Sequence, residues 1–171
     1  MKKQNLLAKG AFLAVTLFFF SCNKLDLTSG IFDSQKSGPK TPQYNLEVVL
    51  QGEVSQVGHI QFRQEPDAAK IITLSTRVHN LLPNHEYLLQ RAVDPINVVD
   101  GNCTSTRWLT LGKGLTPQSI LTNSKGDGEE ELWRNVTAIA SESAFDIHFQ
   151  VIDAVSLAVV LTSDCYQYKV R

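Results

Sequence analysis

Cysteine is scarce in this chain. Its 171 residues hold three, Cys22, Cys103 and Cys165, so Cys103 in "DGNCTSTRW" has few partners, whether it is a metal ligand, a nucleophile or half of a crosslink. Long apolar runs are missing too: the stretch from Gly10 to Phe20 is well short of the roughly 20 residues a membrane-crossing helix requires. No basic patch is evident, which argues against nucleic acid as a partner. No serine sits in G-x-S-x-G, and no glycine cluster forms a phosphate loop. The histidines His59, His79, His85 and His148 occur at neither H-x-H nor H-x3-H spacing, so no metal site is legible from them. The acidic stretch "NSKGDGEEE" lacks the alternating oxygen ligands of a calcium loop and reads as a solvated hairpin tip.

What is present begins at the N-terminus. Lys2 and Lys3 precede the apolar run "GAFLAVTLFFF", and the small residue Ser21 then precedes Cys22, the layout of a secretory signal. The "FFSC" stretch resembles a bacterial lipobox, which implies a segment 1–21 that is removed and a lipid on Cys22. Acyl chains at about 0.8 kcal/mol per buried methylene would hold such a protein on a bilayer. Loss of Lys2, Lys3 and Lys9 with the signal moves the formal charge from −1 to −4. The remaining length is that of one domain. Residues 22–43, rich in Ser, Gly, Pro, Lys and Thr, read as a flexible tether between membrane and domain.

From Tyr44 onward the pattern has a two-residue period. Tyr44, Leu46, Val48 and Leu50 share one face; Ile60 and Phe62, then Ile72, Leu74 and Val78, and later Phe145, Ile147, Phe149 and Val151, repeat the alternation. Leu82-Pro83-Asn84 and Gly126-Asp127-Gly128 supply turns. The final stretch, Leu157 to Val170, changes parity, which predicts a bulge or bend near Thr162 to Asp164. Seven to nine short strands and no amphipathic helix predict an all-β domain over 44–171, an antiparallel Greek-key β-sandwich, with a loop from about Pro95 to Arg107.

Export makes a disulfide-permissive compartment, and with Cys22 carrying lipid, Cys103 and Cys165 are most simply a disulfide. Nothing indicates the base that a nucleophilic cysteine needs. Asp94, Asp100, Asp153 and Asp164 are scattered, and no pair of them takes acid and base roles. Trp108 and Trp133 are read first as core; the sharper reading makes them ligand contacts, a stacking platform for a sugar.

The order "LEVVLQGEV", "VGHIQFRQ", "IITLSTRVHNLLPNHEYLL", "GNCTS", "NSKGDGEEEL", "FDIHFQVID", "SDCYQY" resembles the copper/zinc superoxide dismutase sandwich from about Tyr44 to the end. The resemblance implies the Cys103–Cys165 link and puts His148 at the position of a late copper histidine. Where that family has an H-x-H copper pair, this chain reads Leu88-Leu89-Gln90, and "RWLTLGKGLTPQ" has neither histidine nor aspartate for zinc. The expectation is therefore a lipid-anchored β-sandwich of the bacterial cell envelope, immunoglobulin-like or dismutase-like, without a cofactor. It would act as a non-catalytic binding or structural module, its partners being the membrane and an unidentified protein or glycan. The alternatives are a metal-dependent or redox enzyme related to the dismutases, with His148 as its weak metal candidate, and a glycan-binding module.

Overall fold

The computed structural model describes residues 41–171. Cys22, the segment 1–21 and all but the end of the 22–43 stretch lie outside the described residues. Where the sequence alternates, the chain is extended: β1 (Leu46–Gln51), β2 (Val57–Gln64), β3 (Ile71–His79) and β4 (Glu86–Val93) come first. They are followed by the short β5 (Leu109–Thr110), β6 (Gly112–Lys113), β7 (Thr116–Pro117) and β8 (Ser119–Leu121). The last four are β9 (Gly128–Asn135), β10 (Ala144–Asp153), β11 (Val159–Ser163) and β12 (Tyr166–Lys169). The described residues are all-β, with no helix among them.

The strands run in the order β5-β4-β10-β11-β1-β2-β3-β9-β6-β7, with β8 beside β4 and β12 beside β10. Pairing is antiparallel except between β6 and β9, so the sheet is mixed. A bridge between Thr122 and Gly128 joins the end of β8 to the start of β9 and brings the sheet close to a closed barrel. The core side chains come from two successive four-strand runs of this sheet, β1, β2, β3 and β9, and β8, β4, β10 and β11.

The twelve strands exceed the seven to nine that the periodicity predicts. Strands of two residues, such as β5 to β7, are too short to display a period, which explains the shortfall. The terminal stretch is also two strands instead of one. Its register slips at Val160, which has no counterpart between Leu161 opposite Val151 and Val159 opposite Ile152. The chain then breaks at Asp164 and Cys165, and β12 moves along to pair with the start of β10.

The core is made by every second residue of the long strands. Val48, Leu50, Ile60, Phe62, Leu74 and Leu132 meet Leu89, Phe149, Val151, Leu161 and Tyr168, all almost fully buried. Aromatic edges tie the halves together: the Phe62 ring lies 4.7 Å from Tyr168 and 6.2 Å from Phe149, both edge-on. The buried Tyr168 hydroxyl donates to Gln64 Oε1 at 2.5 Å, and burial raises its pKa. Neither tryptophan joins this core, contrary to the first sequence reading. Trp133 is on the outward parity of β9, and Trp108 belongs to the segment before β5.

Candidate functional site

Residues between β4 and β5 form the longest strand-free segment of the domain, and they fold back over the outer faces of β10 and β12. Two buried carboxylates hold them there. Asp94, one residue past β4, accepts the Thr104 and Ser105 amides at 2.9 and 2.6 Å and the Thr104 hydroxyl at 3.3 Å. Asp146 of β10 accepts the Asp100 and Gly101 amides at 3.0 and 2.8 Å. Gly101 has φ +81°, a conformation that suits glycine and lets consecutive amides converge on one oxygen. The Cys103–Cys165 disulfide then staples the segment to the break between β11 and β12. Closing a loop with a sequence separation of 62 is worth about 4 kcal/mol in the chain-entropy account.

Burial raises the Asp146 pKa, and the two amides only partly offset it. Asp146 pairs with Gln167 across β10 and β12, and both are buried, at 0% and 7% exposure. Asp146 Oδ1 and Gln167 Oε1 have no hydrogen-bond donor among the described residues, so two acceptor oxygens share one covered face. Sequence reasoning passed over Asp146. The available signal was its place two residues before His148 on the polar parity of a strongly alternating strand.

His148 lies beneath the same segment. Its Nε2 is 2.9 Å from the Ser105 carbonyl oxygen, which can only accept, so Nε2 carries the proton. The Trp108 indole stacks on the ring at 4.6 Å with a 32° tilt. Across the sheet His148 faces Ala92, not Leu88, Leu89 or Gln90. Next to it Gln150 donates to Gln90 at 2.7 Å and Gln90 donates to Thr110 at 3.0 Å, which uses the polar groups on one another.

These residues do not fit the copper or zinc that the resemblance implies. Only Nδ1 of His148 retains a lone pair for a metal, and Ala92 opposite it has no ligating atom. No group of three His, Cys, Asp or Glu side chains converges among the described residues.

The remaining candidates are dispersed. His79 and His85, which flank one turn, do not meet; His79 Nδ1 lies 3.0 Å from Asp127 and His85 Nε2 lies 2.5 Å from Asp153. Asp153 also accepts the Ser156 and Val155 amides, and these bonds, the Ser156 amide foremost, lower its pKa to about 2. The tip of the acidic hairpin is exposed at Asn123, Ser124 and Lys125, and its glutamates make surface pairs: Glu129 with Arg77 at 2.9 Å, Glu130 with Lys113 at 2.8 Å and Glu131 with Ser75. Trp133, 40% exposed, packs under Gly114, whose φ of +67° makes the β6–β7 turn. Trp108, before β5, stacks on His148 of β10, whereas Trp133 belongs to β9, which does not neighbour β10 in the sheet, so the two do not form a joint platform. An open polar groove of about 480 Å³ runs past Gln43, Glu47, Arg63, Tyr166 and Gln167, where β1 pairs with β11 only at Leu50 and Gln51. No family model matches the chain, and neither a curated protein nor a solved structure gives a match.

Proposed function

We propose that this chain is a lipid-anchored, exported β-sandwich protein of the bacterial envelope, acting as a non-catalytic binding or structural module. The observation that carries the reading is the fate of His148. Its imidazole is held between the Ser105 carbonyl and the Trp108 indole and faces Ala92, so the surface where the resemblance places copper is occupied by the chain's own loop. The order of the two strand runs, β1-β2-β3-β9 and β8-β4-β10-β11, together with the disulfide, supports a dismutase-like Greek-key sandwich as the scaffold. The disulfide also supports export, because such links persist in oxidising compartments.

Metal analysis and superoxide turnover on purified protein test the non-catalytic part. The expected result is no stoichiometric copper or zinc and no turnover; stoichiometric metal that is lost in His148→Ala would contradict it. Palmitate labelling of cells tests the anchor, with Cys22→Ser as control, and label independent of Cys22 would sink it. A glycan-binding reading rests on single tryptophans, chiefly the 40% exposed Trp133. A glycan-induced change in tryptophan emission that disappears in Trp133→Phe would favour it over the structural role.

A further inference from the structure

One end of the core carries charge without a counter-charge. Arg91 pairs with Phe149 and Arg134 with Ile72, and since both partners are core residues, both arginines stand on inward-facing positions of β4 and β9. They line a cavity of about 30 Å³ whose other walls include Phe62, Ile72, Leu111 and Tyr168. No carboxylate among the described residues lines it. Arg134 Nη1 donates to the Gly114 carbonyl at 3.2 Å, whereas neither arginine belongs to any ion pair among the described residues. Burial first, and Arg134 second, pull the Arg91 pKa below its ordinary value.

This arrangement costs stability as it stands. A desolvated charge is unfavourable unless it is paired, and a second cation beside it adds repulsion. A buried lysine escapes by losing its proton, but a guanidinium stays charged at any ordinary pH. Both side chains are only partly buried, so water relieves part of this cost, and an anion would relieve more. The rigid fork of guanidinium N–H groups matches a carboxylate's two oxygens, and the cavity holds about two water-sized groups, the size of such a head.

We propose that the cavity between Arg91 and Arg134 is a binding site for a small carboxylate anion of the size of formate, its oxygens held by the two guanidinium groups. The site is separate from the loop-covered face of β10 and does not depend on the lipid anchor, so it stands or falls apart from the reading above.

The test is a thermal-shift and calorimetric titration of purified protein with sodium formate. Formamide, a neutral isostere, and sodium chloride at matched ionic strength are the controls. Formate is expected to raise Tm with a saturating dose dependence, while the two controls leave it unchanged. Arg91→Met should weaken formate binding at least tenfold and raise the Tm of the ligand-free protein, because it removes the unpaired charge. Arg134→Gln provides a second variant with the same expected loss of binding should Arg91→Met not fold. Arg77→Gln, on the outer face of β3, should bind as the parent does. No saturable formate effect, an equal shift with chloride, or unchanged binding in both cavity variants would each overturn the proposal.

Discussion

The two halves of the barrel bury their strands differently. In β1, β3 and β9 burial alternates residue by residue, and the outward side chains form a wet ladder in which Arg77 meets Glu129 and Ser75 meets Glu131. In β10 nearly every residue is buried, although its outward positions are Asp146, His148 and Gln150. The difference comes from the segment between β4 and β5, which covers the outer face of β10 and leaves β1, β3 and β9 to solvent. A sheet face with water on it can carry charges at little energetic consequence, since exposed pairs contribute a median of about 0–1 kcal/mol. A covered face calls for partners to its polar groups, and here loop amides serve one Asp146 oxygen, the Ser105 carbonyl serves His148 and Gln90 serves Gln150. Polar residues in β10 are therefore fold determinants, while similar residues in β3 and β9 are surface.

This contrast is open to attack at several points. The largest effect is expected from Cys103→Ser, which frees the cover from β12 and should lower stability by about 4 kcal/mol, measured by chemical denaturation of the parent and variant. Next comes Asp94→Ala: it leaves the Thr104 and Ser105 amides without their acceptor, at a cost of about 1–3 kcal/mol, and a red-shifted Trp108 emission should accompany it.

The third test uses pH. Asp153 has a folded pKa of about 2, below the ordinary aspartate value of about 3.9, so its contribution is present above that ordinary value and is lost as pH falls through about 2. Asp153→Asn should flatten that acid limb in scanning calorimetry. Asp146 has the opposite sign. Its raised pKa means that its contribution is full below the ordinary aspartate range and is lost as pH rises through the folded value. Asp146→Asn should therefore raise Tm at pH 7 and change it little at acidic pH, and a lower Tm at pH 7 would contradict the account of a desolvated carboxylate under the loop. The smallest effect belongs to the wet ladder: Glu129→Gln should leave Tm unchanged within error, and a large drop would erase the contrast between the halves.

The wet half was the readable half. Leu46, Val48 and Leu50 alternate with polar residues because one face of β1 meets the core and the other meets water, so period and burial coincide. Phe145 through Val151 show the same alternation, and it places β10 correctly, yet the fate of Asp146 and His148 depends on a loop about 40 positions upstream that no local pattern reports. The crosslink was legible because setting Cys22 aside, as the lipobox-like stretch suggests, leaves an even pair, and Cys103 and Cys165 are indeed joined. The cavity arginines were not, since Arg91 and Arg134 sit among polar neighbours in sequence and only strand register reveals that they point inward.

Hydrogen exchange at four amides, Asp100, Gly101, Thr104 and Ser105, tests the central claim most directly, because each donates to a buried carboxylate. If the loop is a fixed cover on β10, these amides exchange slowly in the oxidised protein, far more slowly than exposed amides nearby, and become fast once the disulfide is reduced. Exchange at free-loop rates in the oxidised protein would mean that the face of β10 is open and that the account of a closed, non-catalytic surface is wrong.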